Sequence, residues 1–327
     1  MFVPITEVAK GLLRVGPIET GRVDATGKPS GPTSPYLAVG QDRVAILEPG
    51  EDGQMAALME AIKVCDVDED RIDYIWASHI HFHHIQVLPK LLKRLPKAKF
   101  LVHPRGAPHL MEPTRLIQST IEVFGDKCYG PFEAIPKERI VTVEDNQIID
   151  LGGKQLQVIY APGHAPHHMG LFDLETRALF YGDVAVLGTP GKWRGHHDIR
   201  PPLFDVDKFV ETIRRYQALN ASMILTFTYG GVSHSPQDTL RWALEDHLAI
   251  QRICLDGMKN KMSAQEMALR SAIYESAAGT GPDVEPGATG GTGGIFGIIN
   301  FLKRKYPDLE VPGDISRRLR SGAARGD

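Results

Sequence analysis

The sequence predicts a mixed α/β fold in which two sheets pack together with helices outside them. Three observations point there. Strand-length apolar runs fall in two blocks, each followed by stretches of helical spacing, an order of strands, helices, strands, helices. Gly/Pro-rich turns punctuate the strands. No apolar stretch approaches the ~20 residues that a membrane span needs, so the apolar faces must bury one another.

The elements follow in order. Leu12–Val15, Tyr36–Val39 and Val44–Leu47 read as short strands. Gln54–Val64 puts Met55, Leu58, Met59 and Ile62 on one helical face. Asp73–Ala77 (DYIWA) reads as a buried strand leading into Ser78, with a helix over about Ile85–Leu95 and a strand at Lys99–Val102. After a helix at Pro113–Phe124 come strands at Arg139–Val143, Gln147–Asp150 and Gln155–Tyr160, linked by Asp-Asn and Gly-Gly pairs. Met169–Asp173 and Leu179–Tyr181 are further strands, Asp207–Leu219 is helical, and Met223–Phe227 is a short strand.

From Gln237 the character changes. Gln237–Met258 and Ser263–Ser276 have amphipathic helical spacing, and a glycine-rich run covers Gly279–Gly297. The organisation expected is a core domain at 1–236 and a C-terminal helical extension at 237–327. The glycine run lacks the Lys-Ser/Thr ending of a phosphate-binding loop and follows a helix rather than a strand, which excludes that reading. A flexible loop and a lid over the site both stay open.

Bulk properties narrow the function. The chain has 327 residues and a formal net charge of −3, with no basic stripe to attract nucleic acid or an anionic membrane. Cys65, Cys128 and Cys254 lie far apart without paired spacing, so a reducing, cytoplasmic setting is expected rather than a disulfide framework. The opening MFVPITEVAKGLLRVG lacks the basic region and apolar core of a signal peptide. The partner expected is a small-molecule substrate.

The chemistry concentrates at Ser78-His79-Ile80-His81-Phe82-His83-His84, four imidazoles in six residues directly after a buried strand. Crowded imidazoles repel when protonated and gain little when neutral, and a bound cation resolves the conflict. Neutral imidazole suits zinc, iron or nickel. On an extended backbone His79 and His81 face the same way, and His84 is displaced enough to serve a second ion. Pro162-Gly163-His164 ends one strand and Gly182-Asp183 the next, so a histidine and an aspartate stand at strand exits. Elsewhere, His167 and His168 suit a polar turn or a supporting contact. His103 and His109 suit local caps, and His247 an exposed helix position. His196 and His197, in GKWRGHHDIRPP, are candidate substrate contacts or residues of a solvated loop.

The histidine run resembles the His-x-His-x-Asp-His signature of the metallo-β-lactamase superfamily, which includes glyoxalase II and lactonase-like hydrolases. Pro162-Gly163-His164 and Gly182-Asp183 resemble its third and fourth motifs, and the likeness covers approximately residues 1–235. The resemblance implies a four-layer αβ/βα sandwich. It implies that His79, His81 and His164 hold a first metal and that Asp183 bridges two ions. The second ion would then sit on position 83, His84 and a last histidine near the end of the final strand.

Two positions depart from that pattern. Position 83 is His83 rather than aspartate, and the final strand ends near Tyr229, with His234 five residues later. Replacing a carboxylate by neutral imidazole removes a charge worth roughly 4 kcal/mol at ~4 Å and an effective dielectric near 20. Three outcomes stay open. In the first, His83, His84 and His234 complete the second position; in the second, Tyr229 completes it as a phenolate that favours ferric iron; in the third, a single ion stays on His79, His81 and His164. Two zinc ions are the first expectation, with one ion or iron as alternatives. The reaction implied is hydrolysis of a small ester, thioester or lactone by metal-bound hydroxide, with Asp183 and His83 as catalytic candidates. The alternatives are a catalytically altered binding protein and an iron-containing redox or oxygenase variant. The C-terminal helices would cover the cleft or form a homodimer.

Overall fold

The computed structural model describes residues 3–18, 32–124, 130–184, 203–228, 230–278 and 293–313. Its strands are β1 (Ile5–Ala9), β2 (Leu12–Val15), β3 (Tyr36–Val39), β4 (Val44–Leu47), β5 (Ile72–Trp76), β6 (Lys99–Val102), β7 (Ile140–Thr142), β8 (Ile148–Asp150), β9 (Gln155–Tyr160), β10 (Met169–Asp173), β11 (Ala178–Phe180), β12 (Met223–Leu225) and β13 (Val232–Ser233). Its α-helices are α1 (Met55–Val64), α2 (Phe82–Ile85), α3 (Leu88–Arg94), α4 (Ala107–Met111), α5 (Thr114–Phe124), α6 (Val206–Ala218), α7 (Pro236–Lys259), α8 (Ala264–Ala278) and α9 (Gly293–Lys305).

The chain forms two compact units. The first comprises residues 1–160, 167–182 and 221–234 and holds both sheets. One sheet runs β1-β2-β3-β4-β5-β6-β7, antiparallel up to β4 and parallel from β4 to β7. The other runs β13-β12-β11-β10-β9-β8, with β11 and β12 parallel. Strand β4 (VAIL) is buried at every residue, as a central parallel strand covered on both faces must be. Its Val44 and Ile46 pack with Leu58, Ala61 and Ile62 of α1 and Leu88, Leu91 and Leu92 of α3. Its Ala45 and Leu47 point the other way, onto Leu156, Val158, Leu171 and Phe180 of the second sheet. Tyr36 links the sheets: its ring meets Phe180 edge-on at 5.0 Å, and its hydroxyl donates to the Thr226 carbonyl at 2.8 Å. Helices, sheet and sheet thus form successive layers of this unit, the mixed α/β arrangement that the pattern of apolar runs predicts.

The second unit comprises residues 161–166, 183–220 and 235–327, and its described elements are α6 to α9. Asp205 caps α6 by accepting from the Lys208 N–H. Helix α9 is tied to α6 by the Lys305–Asp207 ion pair at 2.6 Å and to the preceding segment by Arg304, which donates to the Phe204 carbonyl.

Several expectations need adjustment. The helix expected over Ile85–Leu95 is split into α2 and α3, because Pro89 in the first turn of α3 marks a new helix start. The short β1, β13 and α4 carry too little periodicity to stand out. Residues 293–297 of the glycine run are helical, since Ile295, Phe296, Ile298, Ile299 and Leu302 form a buried apolar stripe that outweighs glycine's poor helix propensity. The remainder of that run, 279–292, lies outside the described residues, as do Cys128, His196, His197 and Tyr229.

His247 is the clearest reversal. It is fully buried on α7, stacked on Phe209 at 4.0 Å and near Phe204 at 5.7 Å. Its Nδ1 lies 2.7 Å from the Ala243 carbonyl, which can only accept, so Nδ1 carries the proton. Burial lowers its pKa to about 4, opposed by the Ala243 hydrogen bond and assisted by the nearby His164.

Two outcomes test this packing. Leu58→Ala should cost roughly 2–5 kcal/mol of stability in denaturant unfolding, whereas Ile148→Ala, at a 41% exposed site, should cost under ~0.5 kcal/mol. His247 binds a proton more readily unfolded than folded, so stability should fall as pH drops from about 6.5 to about 4. The full effect of this one group is on the order of 3 kcal/mol, and His247→Leu should flatten that part of the curve of unfolding free energy against pH.

Candidate metal centre

The histidine run begins where β5 ends, at the carboxyl edge of the parallel strands, the edge at which α/β sheets present side chains to a crevice. His79, His83 and His84 are buried and His81 half-buried. Ring centroids of His79 lie 4.3 Å from His81 and 4.2 Å from His84, and those of His83 and His84 are 4.1 Å apart. His79 Nε2 and His81 Nδ1 face each other at 2.7 Å, while the Ser78 hydroxyl engages His79 Nδ1 at 3.0 Å.

Glu48 fixes this loop from β4. Its backbone extends the strand through the Glu48 N–H to Trp76 carbonyl bond, then turns at φ 55°, a left-handed conformation uncommon outside glycine. One carboxylate oxygen accepts the Ser78 N–H at 3.1 Å and the other meets His84 Nδ1 at 2.6 Å. A carboxylate there requires Nδ1 to carry the proton, which makes Nε2 the lone-pair nitrogen of a neutral His84. Gly50 completes the clamp, donating to the His84 carbonyl and accepting from the Val87 N–H.

His164 and Asp183 are each placed by a strand end, four residues beyond β9 and three beyond β11. Both are buried, and His164 Nε2 lies 3.8 Å from Asp183 Oδ2. Gly182, at φ 67°, sits so close to the His168 ring and the Ser78 Cβ that any side chain there would collide.

Two groups of donors result. His79, His81, His164 and Asp183 each offer a ligand atom within 4.8 Å of the others, and so do His79, His83, His84 and Asp183. These donors suit a first-row ion: neutral imidazoles and a carboxylate, gathered in a buried site where unpaired charge is costly. The groups are not equivalent. The carboxylate of Asp183 has two oxygens and can serve both, whereas the one imidazole nitrogen that His79 turns to His81 has a single lone pair.

Of the other expected residues, His234 is exposed and belongs to neither group. Tyr229, His196 and His197 lie outside the described residues. His168 is buried with its ring 5.3 Å from that of His79, and half-buried His167 lies 6.4 Å from the rings of both His79 and His81. Both stand beside the His79 and His81 rings. His103 Nδ1 accepts the Arg105 N–H at 3.0 Å, a local cap as expected. Glu48 was not among the expected residues. The signal for it was a charged side chain between a wholly apolar strand and a Pro-Gly turn.

Residues 29–228 match the family model of the metallo-beta-lactamase superfamily. The chain belongs to that superfamily. Within it, the metallo-beta-lactamase fold-containing protein ST1585 of Sulfurisphaera tokodaii is 31% identical over 191 residues, covering 55% of this chain and 66% of its own length. Its crystal structure superposes with a TM-score of 0.56 at 28% identity, covering 67% of this chain and 84% of that one. The hydroxyacylglutathione hydrolase GloC of Haemophilus influenzae is 23% identical over 200 residues, 61% of this chain and 85% of its own. The coenzyme F420H(2) oxidase of Methanothermobacter thermautotrophicus is 30% identical over 153 residues, 46% of this chain but 33% of its own. Hydrolases and oxidases therefore both stand among the relatives.

Glu48→Gln should weaken metal binding by roughly 10–100-fold, as loss of a partner that orients a ligating histidine does elsewhere. Competition with a chromophoric chelator measures this directly.

Proposed function

We propose that the protein is a metal-dependent hydrolase of a small ester, thioester or lactone. The observation that carries the reading is the pair of donor groups that share Asp183. His79, His81, His164 and Asp183 would hold one ion, and His83, His84 and Asp183 a second, with zinc at both as the leading assignment. A first-row ion held by imidazoles supplies Lewis acidity and lowers the pKa of a bound water toward ~7. The chain's own groups do the rest. Glu48 keeps His84 in one tautomer, the buried position of His83 and His84 limits competing water, and the Asp183 carboxylate stands as proton acceptor. His83, in the place where the superfamily signature carries aspartate, is the second candidate for proton transfer. The similarity to a hydroxyacylglutathione hydrolase along most of that enzyme's length supports this reaction class. A net charge of −3 accords with a small-molecule substrate rather than nucleic acid. A division into a catalytic part at 1–236 and a helical extension at 237–327 belongs to the same reading.

A second reading has its own support. The similarity to a coenzyme F420H(2) oxidase supports iron and a redox reaction, and a donor set of imidazoles with one carboxylate accepts iron as well as zinc.

Metal analysis of the purified protein combined with turnover on a panel of lactones and thioesters separates the two. The hydrolase reading expects zinc, loss of turnover on chelation and its return with zinc, and a fall of ~100-fold or more in kcat/KM for Asp183→Asn. Bound iron, oxygen consumption with a reductant, and no hydrolysis of any panel member would replace it with the redox reading.

A further inference from the structure

Helix α6 buries Val206, Phe209, Ile213 and Tyr216, an apolar stripe that includes one polar member, Thr212. A buried threonine is a poor choice there on helix propensity alone. Its hydroxyl would ordinarily fold back onto a carbonyl of its own helix, one turn earlier. It does not: Thr212 Oγ1 donates to the Pro162 carbonyl at 2.7 Å. The next carbonyl, Gly163, accepts the N–H of Asp205, the capping residue of the same helix, at 2.8 Å. Both carbonyls that precede His164 are therefore held by α6. Gly163 adopts φ 145°, and a Cβ there would lie 2.7–2.9 Å from the N, Cα and Cβ of Phe209. The Pro162–Gly163 peptide thus lies flush on the helix backbone, and Phe209 is backed in turn by the His247 ring.

We propose that α6 positions the His164 imidazole and that Thr212 is the positioning residue, holding in place the peptide from which the ligand projects. Proline offers no N–H, so the carbonyl is the one backbone polar group of residue 162 by which the turn can be fastened. A local choice that works against helix stability while satisfying a distant carbonyl marks a position kept for the site rather than for the helix. The inference rests on His164 ligating a metal, as in the proposed function.

The test measures zinc affinity and stoichiometry, by chelator competition, and metal-free thermal unfolding for wild type, Thr212→Val, Thr212→Ser and His164→Ala. Thr212→Val keeps the shape and removes the donor. It should weaken one of the two ions by about tenfold or more and leave the other within about twofold, while Thr212→Ser restores wild-type binding. Thr212→Ala, with its higher helix propensity, takes the same role should Thr212→Val not fold. Affinity within about twofold of wild type, or parallel weakening of both ions accompanied by a lower metal-free Tm, overturns the positioning role. If His164→Ala retains both ions, the ligand assignment itself fails and the inference with it. If His164→Ala loses an ion and Thr212→Val does not, the positioning inference alone fails.

Discussion

Buried imidazoles crowded at one strand end impose a single requirement: each ring must stay neutral and keep a fixed lone pair aimed inward. Protonation of any one would place a cation among neighbours 4.1 to 4.3 Å away, ring to ring, in a poorly solvated site. The surrounding structure answers this requirement from several sides. Glu48 takes the outer nitrogen of His84, Ser78 takes that of His79, and Gly50 holds the loop backbone in register with β4. The parallel order β4-β5-β6-β7 matters because it brings the ends of β4 and β5 side by side, so that a carboxylate on one strand reaches an imidazole beyond the other.

The sequence made most of the clustered donor residues legible, because the chemistry was dense. Four histidines in six residues, a Pro-Gly-His and a Gly-Asp, each at a strand exit, are unusual enough to read without coordinates. Strands with four or more residues of clear pattern, such as Val44–Leu47 and Gln155–Tyr160, were equally plain. Supporting residues were harder. Glu48 and Thr212 are ordinary residue types in ordinary local sequence, and their significance lies in contacts 30 to 50 residues away along the chain. His247 is a different case, since Leu240, Ala243, Ile250 and Cys254 place it squarely on a buried helical stripe. Its polarity argued for exposure; the spacing argued for burial, and spacing decided.

The variation at position 83 acquires a physical context from the fold. A carboxylate is absent among the side chains of the histidine run, yet Glu48 places one in contact with His84 from an adjacent strand end. A carboxylate therefore stands next to this part of the site without belonging to either donor group. As a metal ligand, His84 would be made a stronger donor by that arrangement, while His83 brings no fixed charge of the kind an aspartate would. Both a hydrolase and an oxidase stand among the relatives, so the fold alone does not select the reaction.

The single lone pair that His79 offers has a consequence for how the centre fills. With His79 on the first ion, as in the proposed function, one position would command four donors and the other three, so loading would be stepwise rather than simultaneous. Over a range of metal supply the protein would exist as a half-loaded species with its own reactivity. Preparations grown or purified under different metal conditions would then differ in specific activity although every molecule is correctly folded.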